Sequence, residues 1–342
     1  MWNIFGQPKA VDLLKSSVEQ KRLSHAYLFI GPAHIGKGTL ALKLAQAVNC
    51  PEEDSPCGVC TLCGRIASGA NSDVQIICLA PGAKEIGIDQ VREAQHTASL
   101  KAFESKCRVF IIDGADRLSV EASNSLLKIL EEPPNDVLLI LTAIHKGQIM
   151  PTILSRCQIV ELHPTAAPVI EKGLVNQWEV DAVKAKLFSR FCNGSIGWAL
   201  MAYNDESVVE GRSETLDRII DLTAASIGDR FAYAAQQATF FAQDKEAVFE
   251  TLNLWIGWWR DLLLAKHRCH DLVTNIDRMD MLEKSSVKYD VAHVTGFIKR
   301  LDLAVRNLRR NANPRLALEI LMLDIPKPHH GRRKEGATAA SF

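Results

Sequence analysis

The stretch AYLFIGPAHIGKGTL, residues 26–40, decides the fold. Its first five residues are apolar and predict a buried strand. Gly31, Gly36 and Lys37 then match most of the phosphate-loop pattern G-x-x-x-x-G-K-[ST], and the segment TLALKLAQAV predicts a helix directly after it. A strand, a glycine-rich turn and a helix in this order can cradle a phosphate, because backbone N–H groups at the helix N-terminus face the anion.

Three more apolar runs follow before residue 165, separated by helical patterns: VQIICLA (74–80), CRVFIID (107–113) and VLLILT (137–142). All of them are apolar on both faces, which is typical of parallel strands covered by helices on both sides of a sheet. The sequence therefore predicts an α/β fold with a doubly wound parallel sheet over residues 1–165.

The strand signal fades after residue 165. Residues 166–212 predict a small group of short helices, and residues 213–325 predict longer amphipathic helices. The large apolar residues of the last region are interpreted as its core rather than as an oligomer surface: Trp255, Trp258, Trp259 and Phe297. The tail, residues 326–342, is polar and basic and is predicted to be disordered.

The composition excludes several classes of protein. Lys plus Arg equals Asp plus Glu at 40 each, so the chain lacks the basic excess of proteins that bind DNA on their own. Arg260 and Asp261 interrupt the most apolar helix, which predicts a buried helix and no membrane span. Nine cysteines without a recognisable secretion signal favour a reducing cytoplasm.

Two groups that ATP hydrolysis requires are missing from the phosphate-loop region. Gly38 stands where a Ser or Thr would hold magnesium, and Thr39 points about 100° away on the helix. Asp113 ends its strand as a magnesium-side carboxylate, but Gly114 occupies the position of the glutamate that activates water in hydrolysing P-loop proteins of this kind. Asp116 lies too far along the loop to replace it.

A cysteine cluster follows the loop helix in the segment CPEEDSPCGVCTLC. Four thiolates on a short loop rich in turns suit a tetrahedral structural zinc ion, although a redox pair and a coincidence remain alternatives. The predicted ligands are Cys50, Cys57, Cys60 and Cys63. By contrast, Cys107 and Cys157 lie in apolar strand contexts and are interpreted as core residues.

Several segments together resemble the clamp-loader branch of AAA+ proteins, and within it the delta-prime subunits of bacterial DNA polymerase III. They are, in chain order, GQPKAVDLLKSSVEQKRLSHAYLFIGP (6–32), the cysteine cluster, NSLLKILEEPP (124–134), PTILSRC (151–157), NGSIGWAL (193–200) and NANPRLALEILML (311–323). The resemblance implies an AAA+ domain at 1–165, a helical lid at 166–212 and a helical collar for oligomerisation at 213–325.

The resemblance also implies roles for single residues. Arg156, in the S-R-C motif, would be an arginine finger that enters the ATP site of the neighbouring subunit. Thr142 would occupy the sensor position near a γ-phosphate, although an ordinary strand end is as good an interpretation. Gly197 stands where active relatives carry a lid arginine. Whether Lys37 still binds a nucleotide, with or without magnesium, stays open.

The implied partners are gamma/tau and delta subunits in a hetero-pentameric ring within the DNA polymerase holoenzyme of the cytoplasmic replisome. The sliding clamp and primer–template DNA would be reached through that complex, and no membrane is involved. An active ATPase of the gamma/tau type is an alternative, which robust turnover abolished by Lys37→Ala would favour. A free-standing zinc protein with a relic phosphate loop is another, which failure to bind clamp-loader partners would favour.

Overall fold

The computed structural model describes residues 2–328. Residues 329–342 of the tail that was predicted to be disordered lie outside the described residues. The chain folds into two compact units, the first ending at Asn204 and the second beginning at Asp205. Each unit has its own apolar core. The units are therefore described one at a time.

The first unit contains a five-stranded sheet. Its strands are β1 (Ala26–Ile30), β2 (Val74–Ile77), β3 (Arg108–Ile112), β4 (Val137–Ala143) and β5 (Gln158–Glu161). Their order across the sheet is β2-β3-β4-β1-β5, and every neighbouring pair is parallel. The prediction of a parallel α/β sheet is confirmed.

Helices cover both faces of this sheet: α1 (Pro8–Glu19), α2 (Lys37–Asn49), α3 (Thr61–Ala67), α4 (Ile88–Ala98), α5 (Val120–Glu131) and α6 (Pro151–Leu154). Alternate residues of β1 enter two different cores. Leu28 and Ile30 pack in one cluster, whereas Tyr27 and Phe29 pack in the other. Because both faces are buried, the strand reads as a continuous apolar run.

The fifth strand is absent from the sequence prediction. In β5, Val160 is buried, but Gln158 and Ile159 are only half-buried and Glu161 is exposed. This strand pairs with β1 on one side and forms an edge of the sheet. Only Val160 of β5 is buried, so this strand lacks an apolar run. The other edge strand, β2, does carry such a run, although its Ile76 is exposed.

Three helices complete the first unit: α7 (Ala167–Trp178), α8 (Ala182–Phe191) and α9 (Ile196–Asn204). Glycines bring this group close to the sheet-bearing part. A Cβ at Gly173 would lie 2.3 Å from the ring of Phe5, and one at Gly194 would lie 2.4 Å from Pro164. Only glycine fits at such an approach, so these positions fix how α7–α9 pack in the unit.

The second unit is helical: α10 (Glu206–Leu222), α11 (Ile227–Phe241), α12 (Lys245–Lys266), α13 (Met279–Ser286), α14 (Val291–Arg309) and α15 (Pro314–Leu323). The expected boundary at residue 212 falls inside the continuous helix α10, and the division lies earlier, after Asn204. Residues on both sides of the expected boundary at residue 165 belong to the first unit, so this boundary stays a prediction.

The aromatic residues of α12 and α14 form the core of the second unit, as expected. Trp255, Trp258, Trp259 and Phe297 are each at most 2% exposed. Asp261 is also buried, and its Oδ2 accepts N–H bonds from Thr274 and Asn275, at 3.0 and 2.7 Å. Within residues 2–328, no helix combines the length and apolar character that a bilayer crossing requires.

Candidate functional site

The phosphate-type loop joins β1 to α2 and has the backbone that its glycines predict. Gly36 has a φ of 104° and caps α2, which begins at Lys37. A Cβ at Gly31 would lie 2.6 Å from the Leu162 carbonyl oxygen, so no larger residue fits there. The Lys37 ammonium donates to the carbonyl oxygens of Gly31 and Pro32, both at 2.7 Å. The loop is thus a formed cradle whose lysine lies across its own backbone.

Gly38 is the second residue of α2, and the space beside it is open. A Cβ built at this position would meet nothing within 4 Å. The missing hydroxyl therefore reflects the residue type and not a lack of room. Thr39, the nearest hydroxyl in sequence, lines the pocket beside the loop.

The carboxyl ends of β3 and β4 carry the second half of the site. The Thr142 hydroxyl donates to Asp113 Oδ1 at 2.6 Å and accepts an N–H bond from Gly114 at 3.0 Å. Gly114 has a φ of 86°, in the left-handed region that a glutamate adopts only with strain. Asp116 instead accepts the N–H of Ile144 at 3.1 Å, so it holds the loop after β4 and is no substitute for the missing glutamate.

Strand order explains why these residues converge. Because β3, β4 and β1 are adjacent and parallel, their carboxyl ends share one edge of the sheet. The Gly31 N–H donates to the Ala143 carbonyl at 3.2 Å, which joins the loop to the end of β4. The structure therefore brings the predicted loop residues and the Asp113–Thr142 pair to the same edge.

A pocket of about 850 Å³ lies beside the loop, within the range of volumes that small-molecule sites occupy. Its lining is mainly apolar and comes from the N-terminal segment, the loop and the α7–α9 helices: Asn3, Ile4, Phe5, Gly6, Ile35, Gly36, Thr39, Gln177, Trp178, Ile196, Gly197 and Leu200.

Gly197 forms the contact between α9 and the loop. Its N–H donates to the His34 carbonyl at 2.9 Å. A Cβ at this position would lie 2.6 Å from the same oxygen. The lid arginine expected in active relatives thus has no counterpart here, and the backbone leaves no space for any side chain.

Arg156 lies at the opposite edge of the sheet. It belongs to the turn that leads into β5, and the first residue of that strand, Gln158, pairs with Tyr27 near the start of β1. Gly31 follows Tyr27 by four residues, which is about 13 Å along a strand. Arg156 is therefore remote from the phosphate loop of its own chain. Its side chain is 35% exposed.

Three groups contact the Arg156 guanidinium. Glu131, the last residue of α5, forms an ion pair with it at 2.8 Å. Its NH1 group donates to the Thr152 carbonyl at 3.0 Å and to the Ser155 hydroxyl at 3.1 Å. The pairing with Glu131 was not predicted from the sequence. The available signal was an acidic residue at a helix C-terminus, where the helix dipole disfavours a negative charge.

The predicted metal ligands meet in one cluster. The sulfur atoms of Cys50, Cys57, Cys60 and Cys63 all lie within 4.8 Å of one another. Tetrahedral Zn–S bonds of about 2.3 Å place sulfurs roughly 3.8 Å apart, so small movements would suit a single ion. Two backbone N–H groups already point at sulfur, from Cys60 to Cys57 at 3.3 Å and from Cys63 to Cys60 at 3.4 Å.

The thiols of the cluster differ in acidity. Backbone N–H groups of Cys60 and Val59 lower the pKa of the Cys57 thiol to about 6. Burial raises the pKa of the Cys63 thiol to about 12. A bound divalent cation would favour the thiolate form of both, because metal binding displaces the proton. Outside the cluster, Cys107 and Cys157 are half-buried and pack against the two cores of the sheet, so they lie at the margin of the predicted core. Burial raises the pKa of both thiols to about 12.

A buried ion pair supports the loop that runs from α4 to β3. Arg108 contacts Asp73 at 3.0 Å, and both side chains are almost fully buried. The Asp73 carboxylate also accepts the N–H groups of residues 103–105. Burial alone would raise the pKa of Asp73, but these N–H groups and the Arg108 charge hold it below its usual range. Lys106, in the loop before β3, donates to the Cys50 carbonyl at 2.9 Å. This bond joins the loop before β3 to the start of the cysteine cluster.

Comparison with known proteins gives a consistent set of relatives. A family model described as "DNA polymerase III, delta subunit" matches residues 6–166. DNA polymerase III subunit delta' of Bacillus subtilis is 30% identical over 318 residues, which are 93% of this chain and 95% of that protein. DNA polymerase III subunit tau of the same organism is 39% identical over 158 residues, or 46% of this chain and 28% of that protein. A gamma subunit-related protein of Thermotoga maritima matches with a TM-score of 0.43 and 17% identity, over 91% of this chain and 98% of that structure.

Proposed function

The chain belongs to the delta-prime family of DNA polymerase III clamp-loader subunits, and from this membership we propose that it hydrolyses no ATP itself. Instead, it donates Arg156 to the ATP site of a neighbouring subunit. In this role it helps load the sliding clamp onto primed DNA. Its partners are gamma/tau and delta subunits in a five-membered ring, and the second, helical unit is its collar.

The position of Arg156 carries this proposal. The guanidinium lies partly exposed at the edge of the sheet remote from the chain's own phosphate loop. A guanidinium there can act on a phosphate only if another molecule brings that phosphate to it. Such a residue stabilises negative charge on the transferring phosphoryl group and is worth about 10³ to 10⁵ in rate.

The chain's own loop supports the other half of the proposal. Gly38 carries no hydroxyl for magnesium, and Gly114 carries no carboxylate to activate water. The lid position, Gly197, is closed by the His34 carbonyl. With three catalytic groups absent, the Asp113–Thr142 pair and Lys37 at most retain a degenerate nucleotide site together with Gly31, Gly36 and Thr39.

The cysteine cluster is proposed to hold one structural zinc ion. Four sulfur ligands complete a tetrahedron and leave no position for a reactive water. The ion would supply a cross-link between the end of α2 and the start of α3, since Cys50 follows α2 and Cys60 precedes α3. In this role the cluster stabilises the insertion locally and takes no part in phosphoryl transfer.

The test is reconstitution of the clamp loader with Arg156→Ala. We expect assembly to be normal and the ATP site next to this chain to lose about 10³-fold or more in rate. Steady-state turnover, stimulated by clamp and primed DNA, should fall to what the remaining sites supply. Arg22→Ala is the matched control, because Arg22 is an exposed arginine just before β1 at the same edge of the sheet. Normal turnover by the Arg156→Ala complex would refute the donated arginine.

A further inference from the structure

Two side chains hold the guanidinium of Arg156, and the phosphate-loop pattern includes neither of them. Glu131 pairs with it at 2.8 Å across 25 residues of sequence. The Ser155 hydroxyl accepts from it at 3.1 Å and itself donates to the Thr152 carbonyl at 3.0 Å. One carboxylate, one hydroxyl and one carbonyl thus surround the charged end of the side chain. These three groups are here called the arginine seat.

Glu131 is poorly placed for the stability of its own helix. It is the last residue of α5, where the partial negative charge of the helix end repels a carboxylate. Glu132 follows as the C-cap residue, and within the described part of the chain no ion pair joins it to a basic side chain. Of the two neighbouring glutamates, only Glu131 forms an ion pair with Arg156 among the described residues.

The turn that carries the arginine is fixed on its other side as well. Cys157 packs against the apolar core of the sheet, and burial raises its pKa to about 12, so it is a neutral apolar anchor. Ser155 is the C-cap residue of α6, and its hydroxyl donates to the Thr152 carbonyl in that helix. The backbone on both sides of Arg156 is thereby held, so the position of the guanidinium depends on the contacts of the side chain.

We propose that Glu131 and Ser155 are positioning residues that hold the Arg156 guanidinium ready for the phosphate of a neighbouring subunit. This inference rests on the proposed function. An unrestrained arginine side chain loses considerable rotamer freedom when it is fixed, and a seat removes part of that cost before the subunits meet. Neither residue touches the nucleotide in this arrangement.

The size of the effect follows from the exposure of the pair. The side chains of Arg156 and Glu131 are 35% and 51% exposed, so water screens their attraction. Pairs of this kind change an equilibrium by roughly two- to five-fold. We therefore expect Glu131→Gln to lower the Arg156-dependent kcat by about two- to five-fold, with the KM for ATP changed by less than about two-fold.

The experiment uses the reconstituted clamp loader with clamp and primed DNA. Four complexes are compared with the wild type: Glu131→Gln, Glu132→Gln, Arg156→Ala, and the double variant Glu131→Gln/Arg156→Ala. The Arg156-dependent turnover is the difference between the wild-type and Arg156→Ala complexes. Glu132→Gln removes the same charge one residue away and should leave this turnover unchanged. In the double variant, removal of Glu131 should have no further effect, because the group that it positions is gone.

The outcomes separate the inference from the function on which it rests. If Arg156→Ala lowers turnover but Glu131→Gln, like Glu132→Gln, leaves it unchanged, the positioning role of the arginine seat is refuted. The proposal that Arg156 is donated to a neighbouring subunit would still hold. A Glu131→Gln complex faster than the wild type would also refute the seat, because the carboxylate would then restrain the arginine. If Arg156→Ala itself changes nothing, the proposed function fails and the inference with it. Ser155→Ala, which removes only a hydroxyl, should lower kcat in the same direction as Glu131→Gln.

Discussion

Replacement of Gly197 by alanine tests whether the surrounding backbone excludes a side chain at this position. The added methyl would lie 2.6 Å from the His34 carbonyl oxygen and 3.2 Å from the His34 Cβ. Either α9 or the loop must then move by more than half an ångström, which weakens the 2.9 Å bond from the Gly197 N–H. Overpacking of this kind costs about 1–3 kcal/mol, and the better helix propensity of alanine offsets up to about 1 kcal/mol.

Gly38→Ala is a matched control for this change. Both glycines are the second residue of their helices, α9 and α2, but a Cβ at Gly38 meets nothing within 4 Å. Both variants gain the helix propensity of alanine, so only the overpacking of about 1–3 kcal/mol separates them. At about 2–4 °C per kcal/mol for a unit of this size, Gly197→Ala should melt roughly 2–12 °C below Gly38→Ala. Gly38→Ala should leave the melting temperature unchanged or raise it slightly. Differential scanning calorimetry of the purified chain measures both. A Gly197→Ala protein as stable as the Gly38→Ala protein would show that a side chain fits at residue 197.

Two further predictions concern the cluster and the buried ion pair. Cys57→Ser should lose the zinc that the wild type carries when purified without chelator, whereas Cys78→Ser, which removes an exposed cysteine outside the cluster, should keep it. Elemental analysis checks this, and full zinc content in Cys57→Ser would contradict the site. Because the folded-state pKa of Asp73 lies below its unfolded value, its contribution to stability is present above about pH 4 and is lost as the pH falls through the folded-state pKa. The difference in unfolding free energy between the wild type and Asp73→Asn should therefore shrink from pH 7 toward pH 3 in urea titrations, and a constant difference would contradict this reasoning.

Local sequence patterns predicted the parts of the fold that depend on local chemistry. The strands β1, β3 and β4 were recognisable because both of their faces are buried. The phosphate loop was recognisable because its backbone adopts conformations that favour glycine. Gly36, at a φ of 104°, is an example. The cysteine cluster was recognisable because its ligands lie within 14 consecutive residues, from Cys50 to Cys63. In each case the physical cause is contained in the segment itself.

Other features depend on contacts between distant segments, and no local pattern encodes them. The edge strand β5 is defined by its pairing with β1 and not by a run of apolar residues. The seat of Arg156 joins the end of α5 to a turn 25 residues later. The sequence likewise shows that Gly197 lacks a side chain, but only the structure shows that the His34 carbonyl occupies the space where one would be.

The three glycines of the proposed degenerate nucleotide site differ in whether a larger residue could replace them. A serine at Gly38 would find open space, whereas a glutamate at Gly114 would have to adopt a φ of 86°, and a side chain at Gly197 would collide with the loop backbone. Restoring one group therefore does not restore the others, because the last two positions are fixed by backbone geometry.

The polarity of the parallel sheet separates this altered site from Arg156. The phosphate loop and the Asp113–Thr142 pair follow the carboxyl ends of their strands, while Arg156 and its seat precede the amino end of β5. Changes in one group consequently leave the contacts of the other in place, since the two share no side-chain partner among the described hydrogen bonds and ion pairs. A subunit built on this sheet can lose its own hydrolysis chemistry and still present an arginine to its neighbour, which is the division of roles proposed for this chain.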